Sequence, residues 1–389
     1  MKFRSPLPLY ISILSLIGIF FISISTQTEA SLTIGNKYFF IQKQILWLTL
    51  GIITFCIASK INLNFIKKYS FPFYLIVNFL LLIVLIPNIG TQALGAKRWL
   101  SLGPLGSLQP SELAKMIAII FFPFLFSQEK NRNLKTLLIY LGVPLFLIIL
   151  EPNLSTAVLL SVICLVIYYL SNAPLGSIMT FSFLSIIFFT VLTLISPYRF
   201  TRLKTLLNPN TNTTSTSYHS NQIIYALASG GIWGKGFANS NQKYKYLPKI
   251  STDSILAIIG EETGFIGISL IFYIYLLLVG HLFRIAKKID DNFESLLVAG
   301  TGAWIAFQTI INIGAIANII PLTGIPLPFI SYGGSSLTSL FFTLGLVYNI
   351  EKKHYNLIYL NNGKENNNHR HPSHPRSRIN RTIKRRQNY

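Results

Sequence analysis

Residues 246–267, "YLPKISTDSILAIIGEETGFIG", turn from polar to apolar, and the apolar run continues through residues 268–283, "ISLIFYIYLLLVGHLF". A run of this length exceeds the roughly 20 residues that a helix needs to cross a hydrocarbon core of about 30 Å. Three acids, Asp253, Glu261 and Glu262, lie in or beside it. A carboxylate inside a membrane costs roughly 2.5–3.5 kcal/mol on insertion scales. The stretch therefore predicts a membrane helix whose acidic face is turned away from lipid, toward a cavity.

The rest of the chain has the same character, with 51% hydrophobic and only 12% charged residues. Only helices and closed barrels satisfy the backbone in lipid, and these runs are continuous rather than alternating. We therefore predict an all-α, polytopic integral membrane protein with about ten transmembrane helices and a large extracytoplasmic loop before helix 8. The predicted spans are 7–25, 45–59, 71–87, 111–127, 134–150, 154–170, 176–196, 254–282, 294–318 and 334–350.

Basic residues in the short loops predict the orientation, because Lys and Arg collect on the cytoplasmic side. An even number of spans places both termini there, and the loops 26–44, 88–110, 197–253 and 319–333 outside. The first span follows Lys2 and Arg4 but lacks a clear signal-peptide cleavage site, so we expect it to be retained. The cytoplasmic basic groups are Lys2, Arg4, Lys60, Lys67, Lys68, Lys130, Arg132, Lys135, Arg284, Lys287 and Lys288.

We predict two regions, a membrane domain at residues 1–351 and a tail at residues 352–389. The tail is Asn-rich and holds ten of the 33 basic residues, a composition typical of a disordered segment. An anionic membrane surface accounts for its charge, so membrane lipid rather than nucleic acid is the expected partner.

Charged and polar residues cluster where the fourth span begins. Gln109-Pro110-Ser111-Glu112 has the form of a helix start, and Lys115 follows Glu112 on the same helix face. Lys97 and Arg98 precede them on the same predicted side. Together these groups predict a pocket for an anion such as a diphosphate. The alternative is a capped helix whose ion pair satisfies itself.

Three further outer segments, 151–157, 239–262 and 321–336, are expected to meet residues 95–115 around one cavity. The last of these is rich in Gly and Pro, and irregular backbone at membrane depth is tolerated where it is buried or lines a cavity. Gln308 and Asn312, one turn apart in the ninth span, are interpreted as hydrogen-bonding groups between neighbouring helices. Residues 197–207 alternate basic and apolar side chains, which favours an amphipathic surface helix.

Several long motifs make the chain recognisable. They are "GAKRWLSLGPLGSLQPSELAK", "PYRFTRL", "GFANSNQKYKYLPKISTDSILAIIGEETGFIG" and "PLTGIPLPFISYGGSSL". In this order, between about Leu7 and Glu351, they resemble the signature segments of the SEDS family (shape, elongation, division and sporulation), which contains FtsW, RodA and SpoVE.

The resemblance implies a peptidoglycan glycosyltransferase of the bacterial inner membrane. Such an enzyme polymerises lipid II, an undecaprenyl-diphosphate-linked disaccharide pentapeptide, at an extracytoplasmic site. It works beside a class B penicillin-binding transpeptidase and the divisome proteins, with or without a divalent cation, Mg or Mn. The resemblance assigns Asp253 as the catalytic carboxylate. It assigns substrate contacts to Lys97, Arg98, Gln109, Ser111, Glu112, Lys115 and Ser331.

The sequence "NSNQKYKYLP" favours the division type over the elongation type of this family. A flippase or transporter of lipid-linked precursors is the alternative from another class, because polar residues also line transport cavities. A non-catalytic scaffold is a third reading, which the presence of Asp253 disfavours. The chain departs from the family pattern at Lys249–Ser251, where Glu-x-His is usual, and at Asn153 and Asn208, where Asp is common.

Overall fold

A computed structural model of the chain describes residues 5–27, 30–31, 35–87, 89–93, 96–101, 103, 106–207, 215–240 and 252–370. These residues form a bundle of helices with one small sheet. The helices are α1 (Leu7–Ser25), α2 (Phe39–Ala58), α3 (Leu63–Leu85), α4 (Pro110–Phe126), α5 (Leu134–Leu150), α6 (Leu154–Leu170), α7 (Leu175–Ile195), α8 (Pro197–Leu207), α9 (Ser215–Gly230), α10 (Ile255–Ala286), α11 (Asn292–Ile316) and α12 (Gly334–Arg370). The strands are β1 (Gly90–Ala93), β2 (Ala96–Ser101) and β3 (Ser107–Leu108).

The predicted class, a polytopic helical membrane protein, is confirmed. Six of the described helices, α1, α2, α3, α7, α10 and α11, are long and apolar enough to cross a membrane, and α5 and α6 are shorter apolar helices. The number of ten spans stays a prediction.

The centre of the bundle is formed by α4 and α11. Most side chains of both helices are buried, whereas Phe181 is the single buried side chain of α7. Small residues let the central helices approach closely: a Cβ on Gly300 of α11 would lie 2.9 Å from the Ile167 side chain of α6. Small residues have this role in membrane bundles because packing drives helix association there.

Helices α2 and α3 begin several residues before the predicted spans 45–59 and 71–87. The start of α3 is set by Asn62, whose side chain accepts a hydrogen bond from the backbone N–H of Asn64. This cap starts the helix in a polar stretch that includes Lys67 and Lys68, so hydropathy alone placed the boundary too late.

A three-stranded antiparallel sheet occupies the predicted Gly- and Pro-rich loop between the third and fourth spans. Gly90 pairs with Leu100, and Leu100 pairs in turn with Leu108. The chain returns from β2 to β3 through Gly103 and Gly106, which both have positive φ angles that glycine adopts without strain. The prediction of a loop was therefore wrong for these residues, and the sheet fixes where β2 lies.

The predicted eighth span, 254–282, is not one regular helix. Gly264 has φ 68° and ψ −166°, a conformation that divides α10 into segments 255–263 and 265–286. Glu261 and Glu262 lie in the first segment and are buried. As the sequence suggested, they follow Asp253 by about two turns within this first segment, and the break comes after them.

The last helix, α12, runs past the predicted domain boundary at Glu351 to Arg370, and the disorder of the tail stays a prediction. Lys353 and His354 explain the first added turn, because both contact the buried Glu294 of α11, at 2.6 Å and 2.8 Å. Pro372 is the first proline after the predicted boundary.

Loops lie at two ends of the bundle. The site end holds residues 96–101, 106–109, 151–153, 252–254 and 317–333, and the opposite end holds residues 59–62, 127–133, 171–174 and 287–291. Several predictions fall outside the described residues: those on Lys2 and Arg4, on residues 241–251, on Asn208, on the side chain of Lys97 and on the tail from residue 371.

Candidate active site

Lys115 is the centre of a buried polar cluster in the middle of the bundle. Its Nζ lies 2.8 Å from Glu112 Oε1, one turn earlier on α4, and 3.2 Å from Gln308 Oε1 of α11. The ammonium also lies 5.2 Å from the Trp304 ring centroid, within range of a cation–π interaction. The predicted pairing of Glu112 with Lys115 is thus confirmed, and Trp304 is a partner that the sequence reasoning missed.

The amides of α11 hold the last loop of the site end. Gln308 Nε2 donates to the Pro326 carbonyl at 2.8 Å, and Asn312 Nδ2 donates to the Ile325 carbonyl at 2.8 Å. Asn312 Nδ2 also donates to the Asp253 carbonyl at 3.2 Å. These two side chains therefore bond to loop backbone and not only to neighbouring helices. One face of α11 connects the Lys115 cluster to Asp253.

Asp253 lies in the turn just before α10 and is only partly buried. Thr252 Oγ1 donates to Asp253 Oδ1 at 2.8 Å. The next residue, Ser254, is buried and pairs with His219 Nε2 of α9 at 2.8 Å. On its other side, a Cβ added to Gly324 would lie 3.7 Å from Asp253 Oδ2. The carboxylate is thus held in place and remains accessible.

Arg98 on β2 holds the turn between α5 and α6. Its Nε donates to the Glu151 carbonyl at 2.8 Å and its Nη2 to the Pro152 carbonyl at 2.6 Å. Burial lowers the pKa of Arg98, and the nearby Glu151 partly counters the decrease. The structure thus gives Arg98 a structural role, and its predicted contact with a diphosphate stays a prediction.

The Glu151 carboxylate is completely buried, and neither oxygen bonds to a residue within the described ranges. Burial raises the pKa of Glu151 to about 8, against the opposing effect of the Arg98 charge. Because burial without hydrogen bonds disfavours the charged form, this carboxyl carries a proton over much of the neutral range. The predicted site thus contains a proton-binding group at Glu151, which the sequence placed beside the cavity without indicating that it holds a proton.

The remaining predicted contacts join the segments of the site end. The Gln109 backbone N–H donates to Ser335 Oγ at 3.0 Å, which links the start of α4 to the start of α12. Ser111 Oγ is buried and accepts from Asn153 Nδ2 at 3.5 Å. Ser331 is buried in the last loop, where its hydroxyl accepts from the loop backbone at 2.9 Å. The expected convergence of these segments is found, while the role of each residue in binding substrate stays a prediction.

The partner of Glu261 differs from expectation. Because Lys97 and Arg98 are predicted on the same outer side as Asp253, Glu261 and Glu262, the sequence made them the nearest candidate cations for these acids. In the structure, however, Lys235 Nζ lies 2.8 Å from Glu261 Oε1. Lys235 stands in the glycine-rich segment "GGIWGKGFANSN", whose glycines indicated a packed loop without indicating what it packs against.

The amphipathic helix predicted at 197–207 is present as α8. Arg202 Nη1 donates to the Leu322 carbonyl at 2.5 Å, which attaches α8 to the last loop of the site end. Within the described part of the chain, no three His, Cys, Asp or Glu side chains form a metal-binding group. The divalent cation stays a prediction.

Residues 5–356 match the family model described as "Cell cycle protein", FTSW_RODA_SPOVE. The chain is 34% identical over 343 residues to "Stage V sporulation protein E" of Bacillus subtilis, covering 86% of this chain and 93% of the relative. It is 32% identical over 349 residues to "Probable peptidoglycan glycosyltransferase FtsW" of Coxiella burnetii, covering 87% and 93%.

Two solved structures share the fold. A chain of the structure reported as "Structural coordination of polymerization and crosslinking by a peptidoglycan synthase complex" matches with a TM-score of 0.75 and 22% identity, covering 91% of this chain and 99% of that chain. The rod shape determining protein RodA of Thermus thermophilus matches with a TM-score of 0.69 and 21% identity, covering 91% and 98%. Together with the family match over nearly the whole chain, these similarities show that the protein belongs to the FtsW, RodA and SpoVE family.

Proposed function

We propose that this protein is a peptidoglycan glycosyltransferase that polymerises lipid II, with Asp253 as its general base. The relatives named as FtsW glycosyltransferases support the activity. The observation that carries the assignment of the base is the position of Asp253. Its carboxylate is partly exposed at the site end, while its backbone is held by Asn312 and its side chain by Thr252. A base needs this combination of access and fixed geometry.

The reaction follows from the chemistry of lipid II. An acceptor sugar hydroxyl attacks the anomeric carbon of the donor and gives its proton to Asp253. The new carbon–oxygen bond forms as the bond to the diphosphate breaks, and the polyprenyl diphosphate leaves with the bonding electrons. A single displacement inverts the anomeric centre, converting an α-linked donor into a β-linked polymer.

Cations are needed where the leaving group develops charge. Lys115 is enclosed by Glu112, Gln308 and Trp304, so we assign it to the electrostatic support of the site. Lys97 and Arg98 lie on β2 at the site end, and we propose them as the groups that face the diphosphate. A divalent cation, Mg or Mn, bound with the substrate would add to this charge.

We infer that the site end is extracytoplasmic, because the basic loop residues near Lys60, Arg132 and Lys287 lie at the opposite end. A class B penicillin-binding transpeptidase and divisome proteins are the proposed partners. The relative reported as part of a peptidoglycan synthase complex supports such an assembly. The division type is favoured by the FtsW relatives and the motif at residues 239–248, and the elongation type is the alternative.

The test is polymerisation of purified lipid II by the protein in proteoliposomes, with and without a class B transpeptidase. Wild type should form glycan chains, and Asp253→Asn should form none while keeping the wild-type melting temperature and partner binding. Substantial polymerisation by Asp253→Asn would remove the base assignment. Lipid II transfer between leaflets is measured in the same vesicles. Transfer without polymerisation by the wild type would favour the flippase alternative, which the buried Lys115–Glu112 pair in a membrane helix also fits.

A further inference from the structure

The short helical segment 255–263 is separated from the rest of α10 by the break at Gly264. The break at Gly264 leaves residues 265–286 as a helix of about 33 Å at 1.5 Å per residue, enough to cross a membrane alone. A Cβ at Gly264 would lie 2.3 Å from the Ile232 carbonyl, so the break is pressed against the segment that follows α9. Asp253 stands two residues before this short segment, whose placement therefore influences the carboxylate.

Backbone hydrogen bonds join the segment after α9 to both sides of the break. Two N–H groups of this segment donate to carbonyls at the end of the short helix, and two N–H groups beyond the break donate back to it. The bonds run from Lys235 to Glu261 (3.0 Å), from Gly236 to Glu262 (3.0 Å), from Phe265 to Gly231 (2.9 Å) and from Ile266 to Ile232 (3.2 Å). The break is thus a fixed joint.

The Glu261 carboxylate lies at the centre of this joint and is completely buried. Lys235 Nζ donates to its Oε1 at 2.8 Å, and Ser229 Oγ donates to the same oxygen at 3.3 Å. Ser240 Oγ donates to the other oxygen, Oε2, at 2.5 Å. A buried carboxylate with a lysine and two hydroxyl donors is a strong, geometrically specific connection.

The described chain connects this carboxylate to the base, because the short helix runs back from Glu261 to Ile255, two residues after Asp253. Asn312 holds Asp253 only through its backbone carbonyl. We propose that Glu261 is a positioning residue for Asp253, which orients the base by fixing the short helix against Ser240 and Lys235. This inference rests on the proposed role of Asp253 as the base.

The experiment compares Glu261→Gln with Glu294→Gln in the full-length protein, reconstituted and supplied with lipid II. Glu294 is a matched control, because it is also buried and bonded to a lysine, Lys353, but lies at the opposite end. Glu261→Gln should lower kcat by about tenfold to a hundredfold, the range expected when a reacting group is displaced by about 1 Å, with KM changed less than about twofold. Glu294→Gln should keep the wild-type kcat per folded molecule.

A second measurement separates positioning from loss of stability. Deuterium exchange of residues 252–263 should accelerate in Glu261→Gln and stay unchanged in Glu294→Gln. If Glu261→Gln does not fold, Ser240→Ala removes one donor without removing charge and should lower kcat several-fold with the same KM. If a folded Glu261→Gln or Ser240→Ala protein has the kcat of wild type, the positioning role is refuted. The proposed function would stand, since the wild type would still polymerise lipid II. Absence of polymer from the wild type would instead refute the proposed function.

Discussion

Replacing Glu151 with Gln should stabilise the protein at neutral pH and have little effect in acid. The carboxyl has an ordinary pKa of 4.5, which burial raises to about 8 in the folded protein. Between these pH values the unfolded chain releases a proton that the folded protein keeps. The stability that the protonated Glu151 carboxyl contributes is therefore fully present below pH 4.5. It is lost as the pH rises toward 8, by about 1.4 kcal/mol per pH unit. At pH 7 the loss amounts to roughly 3 kcal/mol.

Gln is the suitable replacement because it keeps the shape of the protonated acid and leaves similar polar atoms without partners. The cost of burying these polar atoms does not depend on pH and is similar in Glu151→Gln and wild type, so it largely cancels when the two proteins are compared. The free energy of unfolding in detergent, measured from pH 4.5 to 8, should show the variant and wild type nearly equal at pH 4.5. As the pH rises, the free energy of unfolding of the variant should exceed that of wild type by a growing amount, which reaches roughly 3 kcal/mol at pH 7.

Glu129→Gln is the control, because the Glu129 side chain is 88% exposed and lies 3.8 Å from Arg132 at the opposite end. Its stability difference from wild type should change far less with pH than that of Glu151→Gln. A difference between Glu151→Gln and wild type that stays constant over the whole range would refute the reasoning. A wild type that became the more stable protein at pH 8 would do the same.

Removing either partner of the Glu112–Lys115 pair should lower the free energy of unfolding by roughly 3–5 kcal/mol, because the other charge is left buried. The double variant Glu112→Gln/Lys115→Met should lose less than either single variant. Melting temperatures of the four proteins test this, and normal folding of both single variants would show that the pair is not structural. Arg98→Lys should lower the melting temperature and raise KM for lipid II, because one ammonium cannot replace the fork that holds both carbonyls of residues 151–152. Lys97→Arg should be milder, and an Arg98→Lys protein with unchanged turnover and KM would exclude Arg98 from the diphosphate site.

The membrane class and the local helix patterns were readable from the sequence because their causes are local. Continuous apolar runs must form helices in lipid, where each backbone group needs a partner within the segment. The pairing of Glu112 with Lys115 follows from their spacing of three residues on one helix, and the structure has it at 2.8 Å. The motif around Asp253 likewise indicates the family, because it is a continuous stretch of sequence.

Contacts between distant segments were decided only by the tertiary structure. Lys115 meets Gln308 of α11, 193 residues later, and Lys235 meets Glu261 across the break in α10. Hydropathy cannot reveal such pairs, since it records which residues avoid water and not which helix faces which. The break itself was also hidden, because a glycine inside an apolar run has the same hydropathy in a regular helix and at φ 68°. Packing of the segment after α9 against Gly264 selects the second conformation, and with it the position of the helix that follows Asp253.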